Sequence, residues 1–199
     1  MANAIAKSWG GKATFVQTAF PGLLPALSAK KCNVVISGIF ITPDRTKQFP
    51  AVSYMKSHRA LVVRAGNPKH ITSPNSLKGK HVAVQAGTKY EEYLKALKAK
   101  LGFTLQSYPG DTDAVAQLLL GRADAVLTQD TSGAYQIKQH PGKVQIAYLF
   151  PESDAFGIYY RKSDVALGKQ FTAAVAKLKA DGTLGKLAVR YNIPPGDVK

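Results

Sequence analysis

A chain of 199 residues with 45% hydrophobic and 20% charged residues carries enough apolar material for a folded core, which excludes a disordered or fibrous protein. The formal net charge of +15 admits nucleic acid, acidic membrane surfaces or acidic ligands as partners, yet the lysines are scattered over helix faces, as at Lys95, Lys98 and Lys100, with no aromatic platform between them, which argues against nucleic acid. Cys32 is alone and His58, His70, His81 and His140 lie far apart, so the sequence offers neither a disulfide nor metal-ligand spacing, and no cofactor is expected.

In chain order, Met1 to Ile5 reads as part of an amphipathic helix without a charged-then-apolar leader. Ala13 to Gln17 reads as a strand, Gly22 to Ala29 as a helix and Asn33 to Ile36 as a strand. Arg59 to Arg64 reads as extended and ends at the breaker cluster Ala65-Gly66-Asn67-Pro68. Then come strand 81–85, helix 89–100, strand 104–107, helix 112–120, strand 123–127, helix 132–139 and strand 144–149, followed by a turn at Pro151-Glu152-Ser153-Asp154. Beyond it, 156–161 is extended, and two helices, 165–180 and 184–191, are split by Asp181-Gly182. The longest apolar runs, such as Ala60 to Val63 and Ala123 to Leu127, are too short to cross a bilayer.

Strands alternating with helices predict an α/β fold with largely parallel strands. The last strand and helices have no sheet of their own and return most economically to the first part of the chain. The expected organisation is a discontinuous first lobe, 1–63 and 154–199, and a second lobe, 64–153, joined by two crossovers with a ligand cleft between them.

The loops that carry chemistry follow predicted strands, where open α/β sheets bind ligands. In Ser37-Gly38-Ile39-Phe40-Ile41-Thr42-Pro43-Asp44-Arg45, Gly38 permits close approach to the backbone, and Arg45 offers a planar fork for a carboxylate; the competing reading is an ordinary arginine in a surface helix. In Gln85-Ala86-Gly87-Thr88-Lys89-Tyr90-Glu91, Thr88 and Glu91 fit a capping box, and the same positive helix end suits an anion. In Thr128-Gln129-Asp130-Thr131, Asp130 either receives a ligand ammonium or caps a helix. Phe20 either stacks on a ligand or fills the core.

Taken together, Phe20-Pro21-Gly22-Leu23-Leu24-Pro25-Ala26-Leu27, Val34-Val35-Ile36-Ser37-Gly38, Ile41-Thr42-Pro43-Asp44-Arg45, Val82-Ala83-Val84-Gln85-Ala86-Gly87-Thr88, Ala123-Asp124-Ala125-Val126 and Asp181-Gly182-Thr183-Leu184 resemble the polar amino-acid solute-binding proteins that serve ABC importers. The motifs stand in family order over nearly the whole chain. The resemblance implies a two-lobed periplasmic-binding-protein-like fold of type II with two interlobe crossovers, closing on an amino-acid-like small molecule in the periplasm and delivering it to ABC transporter membrane subunits. It also implies roles: Arg45 clamping the α-carboxylate with help from Thr88, Ser37 and Gly38 offering backbone near the α-ammonium, Phe20 stacking, and Gln85 and Lys89 lining the side-chain end.

The sequence departs from that pattern in places. Gln129 stands where the family has its ammonium-binding Asp, with Asp130 one place later, and Phe40 replaces a small hydroxyl residue, which would narrow the cleft. The family's opening strand has no counterpart, so the first lobe is incomplete at the N-terminus, and the expectation is that rearrangement or another chain, through a domain swap or homo-oligomer, fills the gap. No nucleophile elbow or zinc helix occurs, so an enzyme is not expected. The alternatives are a cyclohexadienyl-dehydratase-like enzyme on the same scaffold, with Asp130 or Glu152 as general acid or base, and a sensory or interaction module.

Overall fold

In a computed structural model, which describes residues 1–191, 193 and 195–198, the chain divides into two compact units. One comprises Met1–Thr18, Gly22–Ser57 and the residues from Asp154 onward; the other comprises Ala19–Pro21 and His58–Ser153. The elements are α1 (Ala2–Ser8), α2 (Leu23–Ser28), α3 (Pro43–Thr46), β1 (Ala51–Arg64), β2 (His81–Gln85), α4 (Lys89–Leu101), β3 (Thr104–Tyr108), α5 (Asp111–Leu119), β4 (Ala125–Gln129), α6 (Asp130–Gln139), β5 (Val144–Tyr159), α7 (Val165–Ala180) and α8 (Thr183–Arg190), with short 3-10 turns at Phe20–Gly22, Pro74–Leu77 and Pro195–Val198. Among the described residues no helix is long and apolar enough to cross a membrane.

The sheet runs in the order β3-β2-β4-β1-β5. β2 pairs in parallel with both β3 and β4, and β1 pairs antiparallel with β4, from Arg59↔Gln129 to Val62↔Val126. Within the unit of 58–153 the continuous apolar runs of β2 and β4 reflect burial on both faces. One face packs Val62, Ala83 and Val126 against Ala114, Val115 and Leu118 of α5.

The other unit buries Ile5 of α1, Leu27 of α2, Val35, Ile39, Phe156, Ile158 and Tyr159, with Phe171, Val175 and Leu178 of α7. Trp9, just past α1, lies with its ring 5.0 Å from that of Phe171.

Some of the expected strands are corrected. Ala13 to Gln17 forms no strand: none of its backbone groups makes a hydrogen bond among the described residues, and Phe15 and Val16 are 71% and 52% exposed. β-propensity expresses itself only against a neighbouring strand, and no neighbour is present here. Asn33 to Ile36 shrinks to a single antiparallel bridge, Val35↔Tyr159, and a second bridge joins Phe40 to Phe156.

The turn expected at Pro151-Glu152-Ser153-Asp154 is absent, because β5 runs straight through it as one strand of 16 residues. β5 is the last strand in the sheet order, and an edge strand tolerates a proline that donates no hydrogen bond. Similarly, β1 begins at Ala51, well before the expected start at Arg59.

Candidate functional site

In the unit of 1–18, 22–57 and 154 onward, the loop that follows Val35 is held by its own backbone. Gly38 has φ +59, a conformation that favours glycine. The Tyr54 hydroxyl meets the Gly38 backbone, and burial pushes its pKa up to about 12. Ser37 beside it is exposed.

Thr42 caps α3, accepting from Arg45 N at 3.4 Å, and Pro43 occupies the first turn, where its missing N–H costs nothing. That start aims Arg45 back along the loop, where Nη1 donates to Phe40 O at 2.9 Å. The Tyr159 hydroxyl donates to the same carbonyl at 2.6 Å. Burial raises the Tyr159 pKa, and the Arg45 charge opposes that rise. The half-buried guanidinium is thus held in part by the Phe40 backbone carbonyl.

The Phe40 ring stacks on Phe156 at 5.0 Å and is 5% exposed. Phe40 contributes a core contact and a carbonyl that accepts from Arg45.

In the unit of 19–21 and 58–153, β2, β3 and β4 end at Gln85, Tyr108 and Gln129, and α4, α5 and α6 begin at Lys89, Asp111 and Asp130. Parallel strands thus bring the positive ends of these helices to one edge of the sheet. At α4, Thr88 Oγ1 accepts from Glu91 N at 3.2 Å and donates to Gln85 O at 2.8 Å. Glu91 reaches back one residue further than a capping box requires. Its Oε2 accepts from Gly87 N at 2.8 Å, while Oε1 takes the Ser107 hydroxyl at 2.7 Å and lies 2.9 Å from Lys95 Nζ.

These partners, with the Ser107 bond first among them, hold the Glu91 carboxyl below its usual pKa. No hydrogen bond among the described residues uses Thr88 N or Lys89 N, and Thr88 is only 2% exposed.

Gly87 joins the remaining pieces. It has φ +73, and a Cβ there would stand 2.8 Å from Pro21 Cγ, so the Phe20-Pro21 turn lies against the start of α4. Gly87→Ala is expected to cost about 2 kcal/mol, from the left-handed backbone and the displaced Pro21, and to weaken ligand binding, measurable by urea denaturation and calorimetry.

Gln85 Nε2 donates to Pro109 O at 3.4 Å, Lys89 Nζ pairs with Glu92 at 2.6 Å, and Gln129 Oε1 accepts from Thr131 Oγ1 at 3.4 Å. Asp130 is 5% exposed and accepts from His58 N at 3.1 Å and Thr131 N at 2.6 Å. Its carboxylate ties α6 to β1, but the N-cap of α6 is Gln129 with no side-chain cap bond, so Asp130 lies inside the first turn and does not cap the helix. Phe20, Gln85, Gly87, Thr88, Lys89, Gln129 and Asp130 thus all belong to this unit, whereas Ser37, Gly38, Phe40 and Arg45 belong to the other.

Some residues at this sheet edge carry no local sequence signal. Thr128 Oγ1 donates to Asp111 Oδ1 at 2.5 Å. Burial raises the Asp111 pKa, and the Thr128 bond opposes the rise. A carboxyl whose folded pKa exceeds its unfolded value binds more protons when folded, so its contribution to stability falls as pH rises through that interval and stays unfavourable above it. Asp111→Asn keeps an acceptor for Thr128 and is expected to stabilise the protein by about 1 kcal/mol at pH 7, a gain that shrinks as pH falls below the folded pKa in thermal melts. Arg59 is the other unforeseen residue, its guanidinium 5.1 Å from the Tyr93 ring centre and 5.3 Å from that of Phe150. Among the described residues no group of His, Cys, Asp and Glu is arranged to hold a metal ion.

Residues 1–193 match the bacterial extracellular solute-binding proteins, family 3. The lysine/arginine/ornithine-binding periplasmic protein of Escherichia coli (strain K12) is 30% identical over 200 residues, 96% of this chain and 76% of that protein. An ancestral arginine-binding protein, solved with arginine bound, superposes with a TM-score of 0.87 at 34% identity, covering 96% of this chain and 84% of that one. An ancestral amino-acid-binding protein, a precursor of cyclohexadienyl dehydratase, gives a TM-score of 0.86 at 32% identity over 96% and 82%.

Proposed function

We infer the role of this chain from the fact that it belongs to the bacterial extracellular solute-binding proteins, family 3: it binds an amino acid or a closely related small zwitterion or organic anion for an ABC importer, and does no chemistry on it. The relatives named above are binding proteins, and even the structure related to a dehydratase is an amino-acid-binding precursor of it.

The observation that carries this reading is the start of α4. Thr88 N and Lys89 N are donors at a positive helix end that no hydrogen bond among the described residues uses. A ligand carboxylate fits such a place. In this proposal Arg45 and Thr88 hold the α-carboxylate, Ser37 and Gly38 face the α-ammonium through backbone groups, and Phe20 stacks on the ligand. Gln85, Gly87, Lys89 and Gln129 line the remainder, and Asp130 supports them by fixing the start of α6. The fold proposed is the type II arrangement with two crossovers, through β1 at Ser57 to His58 and through β5 at Ser153 to Asp154. The setting proposed is the periplasm, with the membrane subunits of the transporter as partners.

The test is a thermal-shift screen of the purified chain against the common amino acids and small organic acids, followed by calorimetry on each hit. A saturable shift with one class supports the reading. A cooperatively melting protein that responds to none of them overturns it.

A further inference from the structure

Cations that are spread along the sequence are gathered by the fold of residues 58–153. β2, β3 and β4 run parallel and β1 runs against β4, so one edge of the sheet receives the connection from β1 to β2 and those that lead from α4, α5 and α6 into β3, β4 and β5. Backbone bonds tie these connections side by side: Gly79 N to Gly102 O at 3.0 Å, Thr104 N to Lys80 O at 2.9 Å, Asp124 N to His81 O at 2.7 Å and Ala65 N to Lys143 O at 2.8 Å. Five adjacent strands spread them over about 20 Å.

This edge carries one sign of charge. The last turns of α4 and α6 hold Lys98, Lys100 and Lys138, as the helix dipole favours. That preference does not account for Arg122 and Lys143, which lie past helix ends, or for Lys69, Lys78 and Lys80 on the connection after β1. Lys78, Lys98, Lys100, Arg122, Lys138 and Lys143 are exposed and form no ion pair among the described residues. Asp124 is the one acid on these connections, and it is already engaged: Oδ2 accepts from His81 N at 2.9 Å, and Oδ1 lies 3.8 Å from Lys69 Nζ. Other acids of the unit stand at the opposite edge, with Glu91 and Glu92 in the first turn of α4, Asp111 and Asp113 in that of α5 and Asp130 in that of α6. The unit is polarised along the length of its strands.

The make-up of the basic edge decides what it fits. Protein interfaces centre on aromatic, methionine or arginine anchors and are poor in lysine, whereas here lysine predominates and Leu120 is the only large apolar side chain exposed on these connections. No aromatic ring is exposed there to stack on a nucleic-acid base. Flexible ammonium groups spread along a broad edge suit a planar array of negative charge, which each can approach without a fixed partner. We propose that this edge docks on anionic lipid headgroups at a bilayer surface. For a protein that serves an importer, as proposed above, docking reduces the search for the membrane subunits from three dimensions to two.

The test is sedimentation of the full chain at low ionic strength with vesicles of phosphatidylcholine and phosphatidylglycerol in equal parts, beside vesicles of phosphatidylcholine alone. Binding to the anionic vesicles only, lost as salt is raised, is expected. Combining Lys78→Gln, Lys100→Gln and Lys143→Gln should weaken it about tenfold or more. Combining Lys162→Gln, Lys169→Gln and Lys177→Gln removes the same charge from exposed positions of the other unit and should leave binding nearly unchanged. Should the first variant fail to fold, Lys98→Gln, Arg122→Gln and Lys138→Gln together repeat the test on different side chains. Absence of binding to the anionic vesicles, equal binding to the neutral ones, or equal losses in the variants of the two units would overturn the proposal. So would retention on duplex DNA at a salt concentration that abolishes vesicle binding. Solute titrations run without lipid are independent of all these outcomes, so either proposal can fail alone.

Discussion

Arg45→Ala is expected to weaken ligand binding by about a hundredfold while leaving a cooperative unfolding transition in place. Truncating one member of a hydrogen-bonded charge pair costs about 3 kcal/mol, roughly two factors of ten in affinity. Loss of stability should be limited to about 1 kcal/mol, because the side chain gives up its bond to Phe40 O while the Tyr159 hydroxyl keeps that carbonyl satisfied. Arg45→Lys should recover little, since an ammonium cannot reproduce a planar fork that binds backbone and carboxylate together. Calorimetry set beside a circular-dichroism melt separates the two effects, and equal loss of affinity and stability would show that Arg45 is a structural residue.

Asp130→Ala is expected to behave in the opposite way, with stability as the larger loss. The β1–β4 ladder reaches Arg59↔Gln129 and stops, because the chain turns into α6 at the next residue. His58 N would then lack an acceptor. The Asp130 side chain supplies one across 72 residues of sequence and at the same time takes Thr131 N in the first turn of α6. Removing it strands two backbone donors in a largely dry place, at a cost of about 3 kcal/mol. Urea midpoints should move accordingly, and amide exchange at His58 and Thr131 should accelerate. Asp130→Asn, which retains one oxygen, should fall between the two.

These two residues also mark how far the sequence could be read. Elements fixed by local signals were legible: the run 81–85 is β2, the apolar period from Val165 to Ala180 is α7, and Thr88 with Glu91 marks the start of α4. Long-range pairing overruled local signals elsewhere. Pro151 suggests a turn until β5 is placed at the edge of a sheet, where a missing N–H costs nothing. Ala13 to Gln17 has the residues of a strand and lacks the neighbour that would make it one.

The site divides along the same line. Thr88, Gly87 and Arg45 sit beside glycines and caps that mark a strand-to-helix turn, so sequence reasoning could single them out as candidates. The bond from Thr128 to Asp111, the Asp130 tie to β1 and the lodging of Arg59 against the Tyr93–Phe150 ring pair join segments far apart in the chain, and nothing local announces them.

The bare stretch from Ala13 to Gln17 has a consequence for how the protein meets proteases. A stretch without regular structure, with no backbone hydrogen bonds among the described residues and a phenylalanine 71% exposed, is readily fitted into a chymotrypsin-like active site, so the first cut in a limited digest should fall after Phe15. The fragment so released would carry α1, whose hold on its unit is the buried Ile5 and the Trp9 contact with Phe171. A helix of 7 residues does not persist alone in water. Its departure would wet the side of α7 that Trp9 now covers, and the trimmed product would become an adhesive species that coats vessels and seeds precipitation.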